Sequence, residues 1–277
     1  MEVPQVQCSL VNRLHRQIQC YGVNIDPSDI PVYPLKDSWP IRYHSAIALK
    51  LAKLTSENPA DIATKILQGL SSQSTRVEIT VGVIPSGIIT FELTDSAVAA
   101  WLQQMTRIPL PASSFSQVST LNVTESQNQN LFDLQYSHAR CCSLLRLADR
   151  DRLIRLAEPH LQTAPTLWLW IEPDPISWLN LDGKLRLSDP GERRLIGQLM
   201  AALDGDFKSS DRKFWQTQAN LISDAFQAFY SECRIWGEVK LKTPKKAQAR
   251  LGLISITQAV LRYILQEKLG IAAPLEL

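Results

Sequence analysis

Leu134, His138, Cys141, Leu145 and Ala148 fall three or four residues apart, which marks one face of an α-helix over 132–150, a stretch with no Gly or Pro. Arg146 and Arg150, at i and i+4, share another side of it. Earlier in the chain the same period predicts a helix over 7–22, with Leu10 or Val11, Leu14, Ile18 and Tyr21 on one side and Gly22 as its stop. A Pro-rich loop follows. A helix is predicted over 44–54, with Ile47, Leu51 and Leu54 inward and Lys50 and Lys53 outward. Asn58-Pro59 is an N-cap and first-turn pair for a helix over 59–70. The period then changes to two: 77–83 and 88–93 alternate as strands joined through Pro85-Ser86-Gly87, and Thr94 caps a helix reaching Met105.

Residues 108–130 lack any period and read as a linker. Beyond the 132–150 helix, 153–157 extends it or starts its successor. The stretch 162–187 is rich in Pro and carries Trp168, Trp170 and Trp178. It suggests a hairpin of 167–171 with 176–181, then a turn at Asp182-Gly183. Those tryptophans either cover neighbouring helices or form a docking surface. Asp189-Pro190-Gly191-Glu192 caps a helix to Leu203, and two more helices are predicted over 214–232 and 245–269, the last ending at Gly270. The expected fold is an α+β N-terminal domain (1–107), a linker (108–130) and an all-α helical bundle (131–277) with a Trp-rich insert at about 162–187.

Composition adds limits rather than detail. The chain has 277 residues, 45% hydrophobic and 20% charged, which suits a globular protein of about two domains. Its 29 basic and 27 acidic residues give a net charge of +2, so only the distribution of charge can point to a polyanion. Five cysteines with no C-x-x-C pair, two of them adjacent, disfavour a disulfide framework or a zinc site. Reduced thiols, no signal peptide and no membrane-length apolar run lead us to expect a cytoplasmic protein with no metal or cofactor. No nucleophile, base and orienting group form a local signature. His138 lies on the apolar stripe and reads as a hydrogen-bonded core histidine. Asp149-Arg150-Asp151-Arg152 reads as a solvated helix face with local ion pairs.

Basic residues do gather in one place. Arg234, Lys240, Lys242, Lys245, Lys246 and Arg250 have only Glu232 and Glu238 against them. Lys and Arg in such density suit phosphate contacts, and Trp236 and Tyr230 beside them could stack unpaired bases.

The residues Gln135-Tyr136-Ser137-His138-Ala139-Arg140-Cys141-Cys142-Ser143-Leu144-Leu145-Arg146 resemble the Q-Y-A-H-A-R-x-C-S-I-L-R stretch of arginyl-tRNA synthetases, at the start of their helical anticodon-binding domain. Phe226–Ile235 resembles that domain's F-N-x-F-Y-x-x-C-R-V stretch, and Ala249-Arg250-Leu251 with 269–277 resembles its closing segment. Residues 41–54 and Pro85–Leu93 look like the family's additional N-terminal domain, in its G-D-Y-x-S-N-x-A-L-x-L-A-K and G-P-G-F-I-N-F-x-L segments. Two departures stand out. Thr90 and Ile88 replace an amide and an aromatic that could read or stack a base, which weakens the case for D-loop recognition, and Lys245-Lys246-Ala247 stands in place of the D-A-L-R signature. The family's class I catalytic domain would lie within 108–130, where twenty-odd residues cannot encode it. None of His15, His44, His138 and His160 sits in a nucleotide-binding motif.

The resemblance implies a non-catalytic protein that binds a tRNA, by likeness an arginine tRNA, as an adaptor or specificity factor. A tRNA-processing enzyme or a synthetase would be its protein partner, with no membrane involved. The implied nucleic-acid-binding residues are Arg140, Arg146, Tyr230, Arg234, Trp236, Lys240, Lys242, Lys245, Lys246 and Arg250. The competing reading is a protein-interaction scaffold that reuses the bundle without RNA.

Overall fold

The computed structural model describes residues 5–19, 22–35, 39–71, 79–111, 125–158, 160, 162–163, 165–205 and 211–277, with side chains left out at 71 and 125–130. The chain divides into two compact units, Gln5–Val98 and Ala99–Leu277. Among the described residues no helix is long and apolar enough to cross a membrane.

In the first unit, helix α1 (Val6–Gln19) buries Leu10, Val11, Leu14 and Ile18. Its Gln7 amide donates to the Val32 carbonyl and ties the helix to the sheet. The sheet is antiparallel, in order β1 (Val32–Pro34), β2 (Arg42–Ser45), β4 (Ile89–Leu93), β3 (Ile79–Val83). Two of its strands are corrections. Residues 32–34 form a strand within the Pro-rich stretch read as loop, and His44, placed by its spacing in a helix, pairs with Thr90 across β2 and β4. Helix α2 (Ile47–Thr55) starts later than its spacing suggests, where the Ser45 hydroxyl accepts from the Ile47 N–H. It buries Ile47 and Leu51, but Leu54 faces outward at 62% exposure, contrary to expectation. Helix α3 (Pro59–Ser71) is capped by Asn58 Oδ1 on the Ala60 N–H. Gly87, at φ +86° in the turn between β3 and β4, lies against Pro59, and a Cβ there would fall 2.7 Å from that ring. Both the positive φ and the close approach call for glycine. Cys20 and Tyr21 of the expected first helix, and 77–78 of the expected strand, lie outside the described residues.

The second unit opens in α4 (Asp95–Met105) and is built around two long helices, α5 (Glu125–Arg150) and α9 (Pro244–Tyr263). Helix α5 begins six residues inside the stretch read as linker, because polar Gln and Asn give no apolar stripe to follow. All five members of its expected stripe, Leu134, His138, Cys141, Leu145 and Ala148, are buried. Helix α9 is buried from Ala249 to Tyr263 and continues into a π-helical turn, Ile264–Lys268, stopped by Gly270 at φ +66°. It packs on α5, α6 (Pro190–Gly205) and α7 (Arg212–Glu232), and its enclosed positions include the polar Arg250, Ser255, Thr257, Gln258 and Arg262. The start of α6 is a capping box, in which Glu192 Oε2 accepts from the Asp189 N–H at 2.8 Å.

The bundle is not all-α. Residues 153–157 do not continue the helix: β5 (Arg155–Leu156) pairs with β6 (Trp170–Glu172). The expected hairpin partner of 167–171 is therefore wrong, and 176–181 instead folds back on Leu185 and Arg186 through the Asp182-Gly183 turn. Trp168 and Trp178 are buried, and the Trp170 indole reaches Ser255 of α9. Gln103 Oε1 accepts from the Trp178 indole at 2.9 Å and from the Ile176 N–H at 3.0 Å. The insert approaches α9 so closely that a Cβ on Gly252 would lie 2.5 Å from the Trp178 ring and 2.8 Å from Ile176. Gly252→Ala should gain up to ~1 kcal/mol of helix propensity and lose ~1–3 kcal/mol to overpacking. A lowered urea midpoint is the expected result; a raised one would mean the insert does not press on α9.

Candidate nucleic-acid interface

The expected basic segment folds as a loop after α7, a short helix α8 (Glu238–Lys242) and the first turns of α9. The structure does not present all of its cations together. Arg234 and Lys245 are exposed, and Lys242 is exposed beside Glu238, one turn before it. Lys240 and the Trp236 indole N–H both turn inward to Asp151 Oδ2, at 3.2 and 3.0 Å. Hydrogen bonds from Lys240 and Trp236 hold the Asp151 carboxyl below the usual carboxylate range. Lys246 donates to Asp189 at 3.0 Å.

Arg250 is the clearest departure. Its place in the basic run pointed it at phosphate, yet it is 4% exposed. Its Nε donates to Glu192 Oε1 and its Nη2 to Asp189 Oδ2, both at 2.6 Å, and Nη1 reaches the Arg234 carbonyl. Glu192 is fully buried, so its charge requires this partner. Burial works against the Asp189 carboxylate, but Lys246 and Arg250 keep it below its ordinary range. The group Asp189, Glu192 and Cys233 has ligand atoms within 4.8 Å of one another, a spacing that a metal ion could use. The Arg250 guanidinium already bridges both carboxylates, however, and burial with Glu192 close by pushes the Cys233 thiol up to about 11.

Arg140 and Tyr230 do meet. The guanidinium lies 4.9 Å from the ring centroid and hydrogen-bonds the phenol, while Tyr230 stacks on Phe226 at 6.1 Å. Arg140 also belongs to a row that lies off the buried stripe. Phe132, Tyr136 and Arg140 are successive i, i+4 positions on α5, and Phe132 (51% exposed) stacks on Tyr136 (45% exposed) at 6.3 Å. The signal was present: two aromatics four apart, off the buried stripe.

The adjoining side of α5 explains why its motif has the residues it has. Gln135 donates to the Ala272 carbonyl at 2.9 Å, His138 Nδ1 to the Pro274 carbonyl at 2.8 Å, and Arg146 pairs with Glu276. Three side chains thus strap 272–276 along the helix. His138 is fully buried, with Nε2 accepting from Gln258 Nε2 at 3.0 Å. A second ring proton would face that amide N–H, so the imidazole is held neutral, and burial brings its pKa down to about 4. Burial likewise pushes the Cys142 thiol up to about 12, so neither group is poised for chemistry near neutral pH.

Thr90, expected where the family's amide would be, sits in the middle of the sheet opposite His44 and Gly82.

Comparison with known proteins gives one consistent likeness. The chain is 29% identical over 157 residues, 56% of its length, to the arginine–tRNA ligase of Synechococcus sp. (strain JA-3-3Ab). It is 30% identical over 154 residues to that of Moorella thermoacetica and 34% identical over 143 residues to that of Gloeobacter violaceus. It covers 23%, 23% and 21% of those three proteins. No family model and no solved structure matches it. Over about half of its residues, then, the chain is arginyl-tRNA-synthetase-like, and it spans less than a quarter of each ligase it matches.

Proposed function

We propose that this chain is a non-catalytic tRNA-binding protein, an adaptor or specificity factor for an arginine tRNA. In this reading 1–107 corresponds to the additional N-terminal domain and 131–277 to the anticodon-binding bundle. The observation that carries it is the exposed pair Phe132 and Tyr136, in line with a half-buried Arg140 that Tyr230 meets. Rings held at the surface and already stacked offer a ready platform for unpaired bases, with an arginine placed to reach their phosphates or stack in turn. Arg234, Lys242 and Lys245 supply exposed positive charge on the same unit. The neutral His138 and the buried thiols support a binding role over a catalytic one. A tRNA-processing enzyme or a complete synthetase fits as protein partner.

A mobility-shift titration with total tRNA tests this. Micromolar protein should retard tRNA in a salt-sensitive way, and Phe132→Ala with Tyr136→Ala should weaken the complex ~10-fold or more, since each stacked base is worth ~1–3 kcal/mol. No shift at any salt would sink the reading, and ATP- and arginine-dependent charging of tRNA by the purified chain would contradict the non-catalytic part.

The exposed Leu169 and Ile171 of the insert, at 61% and 42%, favour the rival protein-interaction scaffold. Their substitution by serine abolishing a partner's co-purification, with RNase making no difference, would select it.

A further inference from the structure

The last turns of α5 carry a feature that extends past the matched Gln135–Arg146 stretch. Phe132, Tyr136, Arg140, Ser143, Leu147 and Arg150 step three or four residues apart along one face of this helix. Where the aromatics end, the face opens into a groove of about 860 Å³. Its polar lining includes Arg146, Asp149, Arg150, His160, Gln162 and Glu276.

The charge run at this end looked self-neutralising, and it is not. Asp149 Oδ1 accepts from the Leu156 N–H at 2.8 Å, and Asp151 is taken by Lys240 and Trp236. Both acids are thus turned to structural work. Arg150 is left exposed, making no side-chain hydrogen bond or close ion pair among the described residues although its charge is felt at Asp151, and Arg152, at φ +56°, is exposed beside it. Arg146 points into the groove and meets a carboxylate there, that of Glu276, which is itself 74% exposed. An anionic group therefore already sits on one of the two arginines.

We infer that this groove binds the phosphodiester backbone of the same RNA strand whose bases stack on the aromatic row, with Glu276 as an internal stand-in for one phosphate. The inference rests on the RNA-binding reading above. Ten residues of helix separate Arg140 from Arg150, about 15 Å along the axis. A single strand laid along this face meets stacking groups first and guanidiniums next. Arg150 takes a phosphate directly. Arg146 takes one by exchanging its Glu276 partner, which the exposure of Glu276 allows. Arginine suits the role because its planar fork grips two phosphate oxygens at once.

Anisotropy of labelled tRNA, titrated with the full chain over a range of KCl, tests the groove. Arg150→Ala should weaken binding about 3–10-fold near 100 mM salt and make the log–log salt slope shallower by about one. Glu276→Gln should tighten binding about 2–5-fold, since phosphate then no longer competes with the Glu276 charge for Arg146. Melting curves of both variants should match the parent, as both residues are exposed. An unchanged slope in Arg150→Ala together with unchanged affinity in Glu276→Gln overturns the groove, while leaving tRNA binding intact if the parent still binds. No binding by the parent overturns both readings. Inorganic phosphate at matched ionic strength should compete no better than chloride; a phosphate-specific loss would mark a small-anion site and overturn the strand assignment.

Discussion

Arg250→Ala should lower the stability of the helical unit by about 3–5 kcal/mol, the cost of leaving a buried charge unpaired. Glu192 is fully buried and receives the Arg250 Nε at 2.6 Å, and Asp189 receives Nη2 at the same distance. Removing the guanidinium leaves two carboxylates facing each other near the start of α6, with Lys246 still bonded to Asp189. Urea unfolding at pH 7 reads the loss directly. Adding Glu192→Gln to Arg250→Ala should restore part of it, because the amide removes one uncompensated charge and can still accept from the Asp189 N–H. Lys245→Glu is the control: an exposed side chain should shift stability by no more than about 0.5 kcal/mol while reducing affinity for tRNA. Equal destabilisation by both substitutions would mean that Arg250 is not the keystone described.

The second large effect is with pH. His138 has its pKa brought down to about 4 in the folded protein, against an ordinary value of 6.5. The unfolded chain therefore binds the proton first. Stability from the neutral imidazole is complete above about pH 6.5 and is lost as pH falls toward 4, the loss reaching about 3 kcal/mol at the low end. Asp151 and Asp189 have lowered values too, but their contributions are lost at lower pH, below the usual carboxylate value of 3.8. The interval between pH 6.5 and 4 thus isolates His138. Unfolding free energy should fall steadily across it in the parent, whereas His138→Gln should start lower and show a much flatter profile. A parent profile without slope would contradict a buried neutral ring.

Local signals carried the sequence reading wherever the deciding contacts are themselves local. The stripe from Leu134 to Ala148, the Asn58 cap, the Asp189–Glu192 capping box and the Gly87 turn all concern residues a few positions apart, and each appears as expected. Strands β1 and β2 are only three and four residues long; β2 gains its definition from β4, nearly fifty residues later, and β1 in turn from β2. The pairing of the Trp-rich stretch is illegible for a related reason, as β6 finds its partner in β5, just past the end of α5, rather than in the next segment.

At the interface the failure was one of accessibility. Six basic residues in sequence looked like one surface, but Arg250 answers to Glu192, 58 residues away, and Lys240 to Asp151, 89 away. Only folding reveals that those charges are already matched. The converse held at Arg150 and Arg152, whose neighbouring acids seemed to neutralise them and in fact bond elsewhere. Phe132 and Tyr136 were legible as a spacing, yet only their exposure distinguishes a stacking platform from core.

The most direct test of the account is the RNA that stays with the protein when it is drawn from its native cell under mild salt and sequenced. Enrichment of tRNA over the input, with arginine isoacceptors foremost and loss of that RNA in the Phe132→Ala, Tyr136→Ala variant, is the predicted result. A protein partner retained after RNase treatment, with no tRNA above background, would contradict it.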